Sequence, residues 1–126
     1  MAFNPYQYYK NQALETSSQY ELVGRCYGDA SLSLKRAQAY IDGKNYEQAN
    51  NSVLKAQKIL AGLDGALDMQ FEIAQQLHTL YAYMQKKLFK ANLAKDKAAL
   101  DVVAGMLGEL RDTWEQAVKN YKKIQA

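Results

Sequence analysis

Few residues of this chain have the types and spacing to do chemistry. His78 is the sole histidine, one position beyond the apolar Leu77, and residues 74–82 contain no Asp, Glu or Cys. A metal site needs several such ligands converging, and a di-iron bundle needs Glu-x-x-His pairs facing inward, so no metal and no cofactor is expected. Cys26 is the sole cysteine, with no histidine near it in sequence. On a helix it reads as a small hydrophobe, the alternative being a nucleophile completed in space. Asp64 and Asp68 stand at a helix end, where capping and solvation account for them better than acid–base catalysis. Gly105-Met106-Leu107-Gly108 has the spacing of a clamp loop of an RNA-binding module, yet lies inside a helical stripe with no strand signal beside it. No catalytic residue is expected. A small enzyme assembled around His78, Tyr81 and Cys26 stays open as an alternative.

The elements that would position these residues are helices. Pro5 is the only proline, so residues 6–126 carry none, while Ala, Leu, Gln and Lys recur throughout. Four stripes alternate steps of three and four residues: Val23 to Ile41, Tyr46 to Leu67, Ala74 to Ala91, and Leu100 to Ile124. The breaks fall at Asp42-Gly43-Lys44-Asn45, at Leu63-Asp64-Gly65 to Met69, and at Asn92 to Asp96. Gly43 suits a left-handed helix end, and Asn45 and Asp96 suit N-caps. Short connections between helices of similar length favour an all-α, antiparallel up-down-up-down four-helix bundle. Residues 1–18 form an N-terminal aromatic arm or cap ahead of a bundle over 19–126, and the whole of 1–126 reads as one domain.

Composition excludes other classes. With 48% hydrophobic and 23% charged residues, and no apolar run near the ~20 residues a membrane helix needs, no membrane insertion is expected. The start, MAFNPYQYYKNQ, lacks a basic end and an apolar stretch and is not a signal peptide, which points to the cytoplasm. The net charge of +3 includes only three scattered arginines, too weak a pattern for nucleic acid.

Four glycines sit inside predicted helices: Gly24 and Gly28 on the first, followed by Ser31, and Gly105 and Gly108 beside Ala104 on the fourth. Each costs about 0.5–1 kcal/mol relative to alanine. Either two helices approach closely there, or a partner backbone lies in a shallow groove. Apolar residues off the stripes (Leu22, Leu32, Leu54, Ile59, Tyr83, Phe89, Val102, Met106) exceed what one core can bury, and the excess suggests a peptide partner. Phe3, Tyr6 and Tyr9 recur every three residues and could cover an apolar groove. Lys86, Lys87 and Lys90 complement the dipole of the third helix and stay solvated, the alternative being a patch for an acidic partner.

Six blocks of the chain, in order, carry a resemblance. They are Asn4-Pro5-Tyr6 with Tyr9; Leu22 to Ala30; Ala49-Asn50 followed by Lys55 to Leu60; Leu80 to Met84; Ala91 to Asp96; and Leu110 to Ala117. Over these residues the chain resembles the FliS family of flagellin export chaperones. The resemblance implies a cytoplasmic holding chaperone without chemistry. It would bind the disordered C-terminal segment of flagellin, block premature polymerisation and deliver the subunit to the export apparatus. An export-gate protein and a co-chaperone are the further partners it implies, and the N-terminal cap would give way to the client. The residues expected to contact the client are Tyr6, Tyr9, Leu22, Gly24, Tyr27, Gly28, Gln57, Asn92, Val102, Gly105, Met106 and Gly108. A bundle of the same kind binding another flagellar or regulatory protein as an adaptor stays open.

Overall fold

The computed structural model describes residues 19–125. They form four helices, α1 (Gln19–Asp42), α2 (Tyr46–Gly65), α3 (Glu72–Ala94) and α4 (Lys97–Gln125), with no strand among the described residues. Each helix neighbours its chain successor, and α4 returns to α1, so α1 and α3 lie on opposite sides of the core. The α1 seams with α2 and α4 are much the closer; α3 is the lightly packed member. The pairing of α2 with α3 runs from Asp64 with His78, late in one and early in the other, through Gln57 with Gln85 to Asn50 with Asn92, early in one and late in the other. Likewise Glu21 and Asp42 of α1 pair with Lys122 and Lys97 of α4.

The stripes build the core. Leu34, Val53, Leu60, Met84, Leu88, Leu100, Val103 and Leu107 are almost wholly buried, with Cys26 and Tyr27 of α1 and Tyr81 of α3 among them. Apolar burial at these positions is the main stabilising term. The fourth stripe departs from expectation. It was expected to be core as far as Ile124, but α4 has no buried residue beyond Leu107, and Tyr121 and Ile124 are exposed. Among the described residues the first turn of α1 is what faces that end, Tyr20 and Glu21 being opposite Tyr121 and Lys122. Tyr46, at the start of the second stripe, is exposed for the same kind of reason, since it opens its helix.

Two of the connections share one construction. In the first, Lys44 N–H donates to the Ile41 carbonyl (3.0 Å) and Asn45 N–H to the Tyr40 carbonyl (2.8 Å). In the other, Lys95 N–H donates to Asn92 (3.4 Å) and Asp96 N–H to Ala91 (2.9 Å), the same offsets. This is the paired bonding of a Schellman end, which needs a left-handed residue at its penultimate position. That residue is Lys44 (φ 58) and Lys95 (φ 53); no described glycine has positive φ, so Gly43 does not take the role its type suggested. The next residue starts the following helix, Asn45 Oδ1 accepting from Gln48 N–H (3.3 Å) and Asp96 Oδ1 from Ala99 N–H (3.1 Å). The α2–α3 connection, residues 66–71, is looser. There Asp68 Oδ1 accepts from Gln70 N–H (3.1 Å), and Phe71 starts α3 without a side-chain cap.

Candidate functional site

The two glycine strips divide between the two readings. Gly24 is buried in the α1–α4 seam, where an added Cβ would meet Trp114 Cδ1 at 3.5 Å and Glu115 Cγ at 3.6 Å. At Gly28 it would meet Arg111 Cδ at 3.2 Å, and at Gly108 Ser31 Oγ at 3.9 Å. Buried Ser31 donates to the Ala104 carbonyl of α4 at 2.8 Å, a bond possible only at close helix approach. These glycines therefore serve packing between α1 and α4. Gly105 differs: nothing lies within 4 Å of its would-be Cβ, and it is exposed. Leucine at Gly105 is expected to keep the fold and raise the melting temperature, gaining up to about 1 kcal/mol of helix propensity. Leucine at Gly24, buried against Trp114 and Glu115, is expected to lower it, by the roughly 1–3 kcal/mol that overpacking typically costs. Thermal melts of the two variants check both signs.

At the end of the bundle where α1 begins, the helices diverge and leave apolar grooves. The larger, about 480 Å³, is lined by Tyr20, Val23, Tyr27, Leu63, Leu67, Phe71 and Trp114 among others. A second, about 250 Å³, lies between Tyr20 and the α4 residues Trp114, Ala117, Val118 and Tyr121. Trp114 is common to both. Its indole N–H donates to the Tyr20 carbonyl, its ring meets Tyr27 edge-on at 6.4 Å, and Tyr20 packs on Tyr121 at 6.0 Å. Phe71, Ile73 and Met69 stand exposed beside the mouth, in the loop and at the start of α3. Residues 1–18 join the chain at Gln19, on the rim of the larger groove.

The titratable groups near these grooves are buried or engaged, among the described residues. Burial pushes the Cys26 thiol up to about 12, which leaves it neutral and a poor nucleophile. Burial also raises the Tyr81 and Tyr27 hydroxyls, which hydrogen-bond each other across the core. His78 is exposed, its Nδ1 2.6 Å from Asp64 Oδ1, so Asp64 is engaged at the helix end. Among the described residues no group of three or more His, Cys, Asp or Glu could hold a metal ion, and no helix is long and apolar enough to cross a membrane.

The residues expected to contact a client fall in several places. Leu22, Gly24 and Tyr27 are buried in the bundle, because α1 presses them against its neighbours. Gly28 and Gly108 are half-buried in the α1–α4 seam, while Val102 and Gly105 are exposed on α4 and Met106 half-buried. Gln57 and Asn92 bridge α2 to α3, the Gln57 carbonyl accepting from Gln85 and the Asn92 amide donating to Asn50. Tyr6 and Tyr9, with the rest of the arm, lie outside the described residues. Of the excess apolar residues, Leu22 and Ile59 are buried, whereas Leu32, Leu54, Tyr83, Phe89 and Val102 are exposed. Sequence reasoning missed the groove lining: Val23, Leu67, Trp114 and Tyr121 read as core, and Tyr20 and Phe71 carried no periodic signal.

Known proteins resemble this chain along nearly its whole length. It is 29% identical over 120 residues to the flagellar secretion chaperone FliS of Bacillus subtilis, covering 95% of this chain and 90% of that one. It is 30% identical over 116 residues to the protein of the same name from Escherichia coli, covering 90% and 85%. To that of Salmonella typhimurium it is 31% identical over 107 residues, covering 82% and 79%. The family described as flagellar protein FliS matches residues 2–121. A helical bundle with apolar grooves and a match of that extent make the chain a member of the FliS family.

Proposed function

We propose that the protein is a cytoplasmic flagellar export chaperone. It binds the disordered C-terminal segment of flagellin, prevents premature polymerisation and hands the subunit to the export apparatus, with an export-gate protein and a co-chaperone as further partners. The observation that carries this reading is the pair of apolar grooves meeting at Trp114, which hold aromatic and aliphatic surface. A disordered chain gains from such grooves by burying its own apolar side chains as it orders. Catalysis has no part in this activity. The pairings of α2 with α3 and of α1 with α4 support antiparallel, up-down-up-down helices. Because the arm joins at the rim of the larger groove, Tyr6 and Tyr9 are suited to cover it until the client arrives.

Titration calorimetry with the C-terminal 40 or so residues of the same organism's flagellin tests this. Coupled folding that buries roughly 1,000–3,000 Å² gives a strongly negative heat-capacity change, and circular dichroism should show helix gained on mixing. Binding with neither signature would exclude a wrapped client. Repeating the titration without residues 1–14 gives tighter binding if the arm competes and weaker binding if it clamps.

A further inference from the structure

The α2–α3 side of the bundle carries a second apolar surface of different character. Two polar bridges tie its seam: Asn92 to Asn50 at 2.7 Å, and Gln85 to the Gln57 carbonyl at 2.8 Å. Leu54 lies four residues after Asn50 and three before Gln57; Phe89 lies four after Gln85 and three before Asn92. Those offsets put both side chains on the same helix faces as the bridging residues, along the outer lip of one groove. Both stay open to solvent, Leu54 at 41% and Phe89 at 61%, and Leu93, one turn beyond Phe89, at 74%. A hollow of about 430 Å³ lies along α2, lined by Asn51, Leu54, Lys55 and Lys58.

The charge around this strip has one sign. Residues 48–63 and 73–94 contain no Asp or Glu, yet hold Lys55, Lys58, Lys86, Lys87 and Lys90. Lys87 lies over the Tyr83 ring at 6.0 Å, and Lys55 interacts with Asp29 of α1. Lys58, Lys86 and Lys90 form no ion pair among the described residues. An apolar strip rimmed by unneutralised cations complements an amphipathic helix whose apolar stripe is flanked by carboxylates. The strip follows a seam bridged by amide groups, and its row of apolar side chains edged by lysines matches one face of a helix.

We propose that the α2–α3 face, centred on Leu54 and Phe89 and rimmed by Lys58, Lys86 and Lys90, docks an acidic amphipathic helix of a partner protein other than the flagellin segment. The proposal does not depend on the flagellin reading. Its test uses the full chain and two labelled peptides of about 18 residues, long enough for five helical turns. Both carry the same leucine stripe, one flanked by glutamates and its twin by lysines, and fluorescence anisotropy reads binding. The glutamate peptide is expected to bind and the lysine twin not. The triple substitution Lys58→Glu, Lys86→Glu, Lys90→Glu should weaken the glutamate peptide by about tenfold or more and remove its salt dependence. Phe89→Ser, at an exposed position that leaves the core intact, should weaken it independently of salt. The same variants should keep their calorimetric affinity for the flagellin segment.

Equal binding of the twins, no binding, or indifference to both variants would overturn the proposal. So would parallel loss of the flagellin segment, which would put the client on this face, or peptide binding that appears only once residues 1–18 are removed, which would make the arm its occupant. Two controls address other occupants: vesicles with about 30 mol% anionic lipid, captured through the same lysines in place of the peptide, would assign the face to a membrane. Self-association abolished by Phe89→Ser in sedimentation would assign it to a second copy.

Discussion

Between pH 9 and pH 11 the bundle is expected to lose stability steadily. Cys26, Tyr27 and Tyr81 are buried, and burial raises all three above their ordinary values of 9.0, 10.0 and 10.0, Cys26 to about 12. The native state therefore holds protons that the unfolded chain releases, so stability is full below pH 9 and falls as pH rises. Each such proton contributes a slope of about 1.4 kcal/mol per pH unit. From pH 9 to 10 Cys26 acts alone, and above pH 10 the tyrosines join it. Cys26 alone removes about 2–3 kcal/mol by pH 11, a sizeable share of the roughly 5–15 kcal/mol of a small domain, and the tyrosines add to the loss in the same direction. Urea titrations at half-unit steps from pH 8 to 11 check this. Cys26→Ala should flatten the segment from pH 9 to 10, and Tyr81→Phe only the segment above it. A midpoint that does not move before pH 10.5 would contradict the raised Cys26 thiol.

Trp114→Ala is expected to cost the protein its client. The indole is shared by both apolar grooves and ties α4 to the first turn of α1 through the Tyr20 carbonyl. A large aromatic at the centre of a contact surface behaves as a hot spot, and its truncation should weaken the flagellin segment by about 2 kcal/mol or more, roughly thirtyfold. Stability should fall as well, because the edge-on contact with Tyr27 disappears. Trp114→Phe separates the two roles. It keeps most of the apolar surface but removes the indole's bond to the Tyr20 carbonyl, so client affinity should recover while the melting temperature stays about 1 kcal/mol short in equivalent stability. An alanine variant that melts lower yet binds the segment as before would remove Trp114 from the client surface.

The helices were legible in the sequence because two independent signals agree on them, the absence of proline after Pro5 and apolar steps of three and four. The N-caps at Asn45 and Asp96 were legible for a local reason: a short side-chain oxygen must lie three residues before the N–H it accepts from. The left-handed residue was not, because the bonding pattern decides which position needs it, and it fell on lysine one place after Gly43. The site was less readable still. Periodicity identifies the inward face of a helix but not how far its neighbours extend, so Tyr121 and Ile124 looked like core although, among the described residues, the first turn of α1 is all that lies opposite. The glycine strips showed the same limit. Bare backbone at Gly24 and Gly105 looks alike in sequence, and the facing helix alone separates a packing contact from open space.

The twin lysine turns bear on the order in which the chain folds. Each reverses the chain within six residues through bonds and a cap supplied by its own segment, so the α1–α2 and α3–α4 hairpins are encoded by short-range contacts that close quickly. Bringing α4 against α1 is the slow, long-range closure. That step joins the bare Gly24–Gly28 face to Ala104 and Gly108, surfaces that must wait uncovered on the nascent chain until the last helix has been synthesised.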